Sequence, residues 1–188
     1  GAIYNETGKV DIIQCYFKTN LSNGGSGGAV YNYLSAPDII NTVFYQNIST
    51  VYGGALYNFV PNGATGVISN CTFFYNECTS NEGAGIVDED NTSEIINCIF
   101  HNNLSTGTND AYYNLAGSTP DITYSFIEDI TGTGNINAVG NDPGFDSDTS
   151  VYLTSNSPCI DAGNGDFALA TDKDDQPRYD DFSMENNG

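Results

Sequence analysis

Residues Gly53–Asn58 read GGALYN, and residues Asn70–Asn76, a little further on, read NCTFFYN. Earlier in the chain the same two phrases return as GGAVYN at Gly27–Asn32 and as NTVFYQN at Asn41–Asn47. Altered copies open the chain and occur twice more after residue 82. Successive copies are about 26 to 30 residues apart, which is typical of a solenoid built from stacked repeats.

Alignment of the copies on their phenylalanines produces columns of like residues. The aligned residues are Phe17, Phe44, Phe73, Phe100 and Phe126, with Ile12, Ile39, Ile68, Ile95 and Asp121 five positions earlier, Gln14, Asn41, Asn70, Asn97 and Thr123 three positions earlier, and Asn20, Asn47, Asn76, Asn103 and Asp129 three positions later. Apolar positions alternate over only a few residues between Gly and Asn, which indicates short strands. Asparagine tolerates the left-handed backbone of a sharp corner and can hydrogen-bond to its image in the next coil.

These columns predict an all-β fold, a parallel β-helix in which each strand pairs with its image one coil away. We expect about five regular three-strand coils over residues 1–131. Residues 132–188 are predicted to continue the same solenoid as one or two irregular C-terminal coils followed by an acidic loop tail. Five coils about 4.8 Å apart would form a rod segment roughly 24 Å long.

The chain of 188 residues carries 24 acidic and 4 basic side chains, a formal net charge of −20. Phosphate groups are bound by basic clusters, so the composition argues against nucleic acid and anionic membrane surfaces as partners. No apolar run approaches the ~20 residues of a membrane-spanning helix. The five cysteines argue against a complete set of internal disulfides, and those that share a column, Cys15, Cys71 and Cys98, are expected to pack as thiols.

The two phrases resemble the Gly-Gly-Ala-(Ile/Leu/Val) and Phe-x-x-Asn repeats of the polymorphic outer-membrane protein family, and more broadly the right-handed parallel β-helix repeats of bacterial and archaeal surface proteins. The first motif is matched at Gly27–Val30 and Gly53–Leu56, and the second begins at Phe17, Phe44, Phe73 and Phe100. The resemblance covers residues 1 to about 130. It implies a right-handed helix and an extracellular or cell-surface location.

The tail also resembles a known pattern, the C-terminal segment of many secreted β-helix proteins. The matching stretches are Asp142–Phe145, Ser157–Gly163 and Asp172–Arg178. A further phrase usually follows in such proteins, so we expect the chain to be a segment of a longer protein. The resembling families include adhesins, surface-layer proteins and polysaccharide-active enzymes, so the fold does not choose among these functions.

A column of tyrosines is one candidate binding surface. It consists of Tyr4, Tyr31, Tyr57 and Tyr113, with Val87 between the last two. Neighbouring residues of a strand point to opposite faces, and the position before each tyrosine is apolar or aromatic, so we predict that the tyrosines face outward or line a groove. Two interpretations stand: an aromatic platform for a glycan, or a stack that packs on itself with its hydroxyl groups in water.

Two acidic clusters are candidate calcium sites. One comprises Asp88, Glu89, Asp90 and Asn91 in the longer fourth coil, and the other comprises Asp172, Asp174 and Asp175 in the tail. Calcium takes six to eight oxygen ligands, and neither cluster follows the EF-hand pattern. The alternative is solvated acid that keeps a β-rich surface soluble. Calcium is therefore a candidate ligand, and no other cofactor is indicated.

Asn-x-Ser/Thr sequences begin at Asn5, Asn20, Asn47, Asn70, Asn91 and Asn103. A composition this rich in Asn, Ser and Thr produces such sequences by chance, so their number is not evidence of glycosylation. Asn70 belongs to a predicted corner ladder. Asn20, Asn47 and Asn103 are predicted to lie at outer turns and are the better candidates for a glycan.

Catalytic groups are sparse. A polysaccharide lyase needs a base, but Lys18 and His101 share a column three coils apart, about 14 Å. A glycosidase needs two carboxylates at about 5.5 or 6.5–9.5 Å, and Asp88 and Asp110 are on neighbouring coils. We therefore favour a non-catalytic rod, adhesin segment or subunit of a self-assembling sheath or filament that associates through open helix ends. The alternative is a carbohydrate-active module, either a glycan-binding domain on the tyrosine face or a calcium-dependent lyase or epimerase.

Overall fold

A computed structural model describes residues 1–61, 64, 66–90, 93–108, 110–115, 120–128 and 130–178. Within these residues the chain is all-β: it forms short strands, one turn of 3-10 helix at Gly165–Phe167, and no α-helix. The strands are arranged in four parallel sheets that run along a solenoid.

The strand bounds follow the repeat. The first sheet contains β1 (Ile3–Glu6), β5 (Val30–Tyr33), β9 (Leu56–Phe59), β13 (Ile86–Glu89) and β17 (Tyr112–Asn114). The second contains β2 (Ile12–Ile13), β6 (Ile39–Ile40), β10 (Val67–Ser69), β14 (Glu94–Ile96) and β18 (Asp121–Thr123). The third contains β3 (Tyr16–Lys18), β7 (Val43–Tyr45), β11 (Thr72–Phe74), β15 (Ile99–His101), β19 (Phe126–Ile127) and β20 (Ile136–Asn137). The fourth contains β4 (Leu21–Ser22), β8 (Ile48–Ser49), β12 (Glu77–Cys78) and β16 (Leu104–Ser105).

Each strand pairs in parallel with its image one coil away, which confirms the predicted parallel solenoid. The register of the first sheet, for example, brings Tyr4 opposite Tyr31 and Tyr31 opposite Tyr57. The first four coils each contain four strands rather than three. The additional strand, such as β4, has only two residues and follows the corner asparagine, so it is too short to show an alternating pattern.

In the fifth coil the register differs by one residue from the alignment on Phe126. Ile99 pairs with Phe126, and Ile95 pairs with Ile122. Ile127 therefore occupies the inward position of Phe100, and both Ile122 and Ile127 are buried in the core. The sequence alignment is wrong there because a one-residue slip reverses the side-chain faces, and only this register keeps Asp121 out of the core.

The core is a narrow column of stacked side chains. Consecutive rings of Phe17, Phe44, Phe73 and Phe100 lie 5.1, 4.8 and 4.7 Å apart, with interplanar angles of 8° or less. All five cysteines are free thiols. Cys71 and Cys98 are buried in the core, as predicted, whereas Cys15 of the first coil is only partly buried against it. Parallel in-register pairing produces this stack because it places identical positions directly above one another.

A buried asparagine ladder runs beside the core. The side-chain amide of Asn20 donates to Asn47 Oδ1, that of Asn47 to Asn76 Oδ1, and that of Asn76 to Asn103 Oδ1, each at 2.9 Å. Asn47 and Asn76 are fully buried, so the ladder satisfies polar groups that have no access to water.

The corners use left-handed backbone, as predicted for asparagine. Asn41, Asn70 and Asn97 have φ values of 50°, 55° and 55°. The glycine pair of the first phrase allows close approach between coils: Gly53 has φ 63°, and a Cβ on Gly54 would lie 2.4 Å from the carbonyl oxygen of Ala84. Any larger residue at position 54 would separate the coils.

The segment after β20 turns back along the outside of the solenoid. β20 pairs with β19 and is the only strand that the structure describes in the irregular coil expected there. Phe145 then packs on Phe74 and His101, with ring centroids 4.9 and 6.0 Å apart. A second hydrophobic cluster thus forms between the outer face of the third sheet and this returning segment.

Candidate functional site

The tyrosine column is mostly closed to ligands. Tyr4 is 57% exposed and Tyr31 is half-buried, whereas Tyr57 is only 6% exposed and its hydroxyl donates to Glu89. The rings of Tyr4 and Tyr31, and of Tyr31 and Tyr57, meet edge to face, 5.3 and 4.9 Å apart. Tyr57 lies on the face of its strand opposite Leu56, whose side chain is in the core, but Tyr31, Tyr52 and Glu89 contact it there and leave little of it exposed. Edge-to-face packing also leaves no flat surface over these three rings; Tyr113, beyond Val87, is half-buried.

The first acidic cluster does not converge on a single point. Asp88 is fully buried and ends a second polar ladder, Asn5 to Asn32 to Asn58 to Asp88, with hydrogen bonds of 2.8, 2.7 and 2.8 Å. It also accepts hydrogen bonds from Ser93 N (2.7 Å), Ser93 Oγ (3.0 Å) and the Tyr112 hydroxyl (2.8 Å). Glu89 accepts from Tyr57, and Asp90 is exposed at a corner. Asn91 lies outside the described residues.

The second acidic cluster shapes a turn. Asp172 Oδ1 accepts the backbone N–H groups of Asp174 (2.8 Å) and Gln176 (3.0 Å). Asp174 is paired with Lys173 at 2.6 Å, and Asp175 accepts from the Gln14 amide at 2.8 Å. Across the described part of the chain, no group of three or more His, Cys, Asp or Glu side chains is arranged to hold a metal ion.

The candidate glycosylation residues belong to the buried asparagine ladder. Asn47 and Asn103 are 0% and 8% exposed, and their amide nitrogens donate to Asn76 Oδ1 and to the Phe73 carbonyl, each at 2.9 Å. The prediction that they lie at outer turns is wrong, and a glycan on either residue would have to break the ladder. Asn20 is half-buried, and its amide also donates within the ladder.

The other candidate catalytic groups have structural contacts. Lys18 lies over the ring of Tyr45, while His101 packs against Phe74 in the fourth coil, and burial lowers the pKa of its imidazole. Register separates these two residues by three coils, as expected. Asp110 Oδ1 accepts both the backbone N–H and the hydroxyl of Ser105, at 2.6 and 2.8 Å.

Residues 164–178, which we call the strap, run along the solenoid from the fourth coil back to the first. One corner column holds them, and each of its amide side chains donates to a backbone carbonyl of the strap. The contacts are Asn97 to Asn164 (2.9 Å), Asn70 to Phe167 (2.7 Å), Asn41 to Thr171 (2.9 Å) and Gln14 to Asp172 (3.2 Å). We call these four side chains the amide track. Backbone carbonyls accept all four of these bonds, so the track holds mainly the backbone of the strap, although Gln14 also donates to the Asp175 carboxylate at 2.8 Å.

A groove of about 910 Å³ lies between the returning segment and the outer face of the third sheet. Its floor has one side chain per coil, in a single column: Val43, Thr72, Ile99, Phe126 and Ile136. Val151, Leu153 and Ile160 face this floor, and the strap contributes Ala168, Asp172, Lys173 and Arg178. The volume lies within the range of small-molecule sites, and the lining mixes apolar with polar side chains.

The groove's titratable groups favour binding over covalent chemistry. Lys173 donates to Asp174 (2.6 Å) and to the Tyr152 hydroxyl (3.2 Å). Burial raises the pKa of the Cys159 thiol to about 12, which disfavours the reactive thiolate form at neutral pH. Arg178 donates to Asn41 Oδ1 at 2.8 Å, and its guanidinium provides a positive charge at the rim.

The repeat pattern predicts the amide column but not its contacts with the strap. Gln14, Asn41, Asn70 and Asn97 were expected to hydrogen-bond to one another, whereas only the Asn97–Asn70 pair does so, at 3.3 Å. No spacing rule links them to residues 67 to 161 positions later in the chain. One feature of the tail does indicate that it docks on the solenoid: its small and polar residues cannot form a core of their own.

Comparisons with protein-family profiles, with curated proteins and with solved structures find no match to this chain. Among the residues that the structure describes, no helix has the length and apolar character needed to cross a membrane.

Proposed function

We propose that the chain is a non-catalytic β-solenoid module of an extracellular or cell-surface protein. It would serve as a rigid rod, an adhesin segment or a subunit of a self-assembling sheath or filament. The observation that carries this proposal is the buried ladder from Asn20 to Asn103, which joins four coils through side chains in addition to the backbone pairing. Such a stack resists bending and sliding between coils, as a mechanical element requires.

The hydrogen bonds of the candidate catalytic carboxylates support the same proposal. Asp88 accepts four hydrogen bonds from within the fold, and Asp110 accepts two. Catalytic carboxylates must reach a substrate, whereas these side chains hold loops and ladders in place.

Self-association would use the edge of the first coil. Within the described residues, β1, β2, β3 and β4 have partners on one side only. The same coil exposes large apolar side chains, namely Tyr4, Val10, Ile13, Tyr16 and Leu21. Unpaired strand edges beside exposed apolar surface are templates for adding further strands.

Light scattering over a range of protein concentrations tests this assembly. We expect the mean mass to rise with concentration, and we expect Leu21→Lys to suppress the rise because it places a charge at the edge. Ile48→Lys is the control, since Ile48 is in the same column but lies in β8, which is paired with a strand on each side. A mass independent of concentration would exclude the self-assembling version and leave the rod and adhesin versions.

The groove supports a second candidate function, glycan or other ligand binding. Its apolar floor and polar rim favour it over the tyrosine column, where Tyr57 is buried. Calorimetric titration with soluble neutral and acidic glycans tests this candidate. Binding that Ile99→Asp abolishes and Leu104→Asp preserves would support it, and no binding across the panel would remove it.

A further inference from the structure

The strap is held almost entirely by polar contacts. In addition to the four bonds that the amide track donates, two of its side chains accept bonds from the strap: Asn164 N donates to Asn97 Oδ1 at 2.7 Å, and Arg178 donates to Asn41 Oδ1 at 2.8 Å. None of its residues is buried, and Phe167 and Leu169 remain 42% and 39% exposed. The net contribution of a hydrogen bond to stability is modest, because folding exchanges it for bonds to water. Docking of the strap therefore lacks the apolar burial that stabilises the coils.

The coils are held differently. Their phenylalanine and isoleucine columns are almost fully buried, and each coil pairs with its neighbours through several sheets. Segments with few buried apolar contacts open at a lower free energy than the core they rest on. The strap should therefore leave the solenoid before any coil unfolds.

The strap also has internal structure that does not depend on the coils. Thr171 pairs with Pro177 in an antiparallel bridge, and Arg178 N donates to the Ala170 carbonyl at 3.1 Å. The Asp172 carboxylate accepts two backbone N–H groups across the same turn. All of these bonds join strap residues to one another and none involves a coil residue, so residues 170–178 form one unit.

We propose that the strap is a releasable lid: it undocks from the amide track while the coils stay folded, and its release opens the groove over the third sheet. The strap residues Ala168, Asp172, Lys173 and Arg178 line the groove. Their departure exposes the floor column around Thr72 and Ile99 to any ligand.

Hydrogen–deuterium exchange of the whole chain tests the lid. We expect peptides from 164–178 to exchange faster than peptides from the strands of the second, third and fourth coils. Asn97→Ala should accelerate exchange in the strap about tenfold, since it removes both bonds between the Asn97 side chain and the Asn164 backbone. Binding of the apolar dye ANS should rise in parallel, because the groove floor is then exposed.

Asn102→Ala is the matched control. Asn102 is in the same coil, and its φ of 51° is close to the 55° of Asn97, so both substitutions strain the backbone alike. Its amide contacts His101 and not the strap. Arg178→Gln is a second test that alters only the strap side and leaves every coil residue intact, and it too should accelerate exchange in the strap.

Three outcomes would overturn the proposal. One is exchange in the strap as slow as in the coils of the unaltered chain. Another is equal acceleration by Asn97→Ala and Asn102→Ala. The third is loss of protection in the strap and in the coils in a single unfolding step, which would appear as the same exchange rate in both after either substitution.

Discussion

Asparagine occupies several corner columns of this solenoid, and the columns have different contacts. Asn47 and Asn76 are buried, and each donates its amide to the next coil and to a backbone carbonyl. Asn41 and Asn97 have left-handed φ values and donate their amides to the strap. One residue type serves both roles because its amide has donors and an acceptor and because it tolerates left-handed backbone.

Asp88 shows why a ladder of asparagines ends in a carboxylate. Its four hydrogen bonds are all donated to it, so it needs acceptors only. Asp88→Asn places an NH₂ group against at least one of these donors, and the Ser93 N–H cannot reverse its role. We expect the free energy of unfolding to fall by about 1–3 kcal/mol, the cost of a buried unsatisfied polar group. Denaturant unfolding measures this loss.

Asp90→Asn is the control for this prediction. Asp90 is exposed and has a φ of 60°, a conformation that asparagine adopts readily. It should leave the unfolding midpoint unchanged. If the two substitutions had the same effect, the contacts of Asp88 would not explain the loss.

Asp88 also predicts a pH dependence. Burial raises the pKa of its carboxyl above 3.8, while hydrogen bonds from Asn58, Ser93 and Tyr112 act in the opposite direction. The folded chain then binds the proton more tightly than the unfolded chain. Stability that is present at low pH is therefore lost as the pH rises from about 4 through the raised pKa.

Asp88→Asn cannot titrate, so comparison with the unaltered chain isolates this effect from the other acidic groups. The difference in unfolding free energy between the two proteins should shrink as the pH rises from about 4 to neutrality. A difference that grows with pH would mean that the hydrogen bonds outweigh burial and that the pKa is lowered.

At the scale of elements, the stacked phenylalanines join the coils. Phe73 has aromatic neighbours on both sides, Phe44 and Phe100, whereas Phe17 is paired within the described residues with Phe44 alone and is 8% exposed. Phe73→Ala should cost about 3–5 kcal/mol through lost burial and the cavity it leaves. Phe17→Ala should cost clearly less, because a solenoid is stabilised by contacts between nearest neighbours.

Denaturant unfolding of the two variants at the same pH provides the comparison. Equal losses of unfolding free energy in the two variants would contradict this prediction. They would mean that the position of a phenylalanine along the rod does not affect its contribution to stability.

The elements also show how far periodicity predicts structure. The strands of the first three sheets follow from the alternation around Ile39, Phe44 and Leu56, whose side chains are buried as expected. The two-residue strands of the fourth sheet do not, because two residues carry no period. In the fifth coil the alignment on Phe126 is wrong by one residue because Phe126 and Ile127 are both apolar. Only the pairing of Phe126 with Ile99 decides which of the two faces inward.

At the scale of the whole molecule, charge dominates the surface. The net charge of −20 means that acidic groups repel one another across the rod. Added salt screens this repulsion, so the melting temperature should rise with ionic strength. Because Asp88, Glu89 and Asp90 do not converge, and Asp172 and Asp174 hold a turn, calcium should act only as part of the ionic strength.

Thermal melts in calcium chloride and in magnesium chloride at equal concentration test this expectation. The two curves should coincide. A larger upward shift with calcium would identify a specific site and restore the calcium interpretation of the acidic clusters.

The sequence by itself determined the solenoid, its parallel pairing and most of its core, because a repeat of about 26 to 30 residues places like residues above one another. It also predicted the positions of the residues within Gly53–Asn58: the glycines allow close approach between coils, Leu56 enters the core and Asn58 lies at a corner. Only the tertiary structure decided which asparagines are buried, that Tyr57 and Asp88 are enclosed, and that residues 164–178 return to Asn97, Asn41 and Gln14. The physical reason is that stacking depends on a local period, whereas the docking of the strap joins residues up to 161 positions apart that share no pattern.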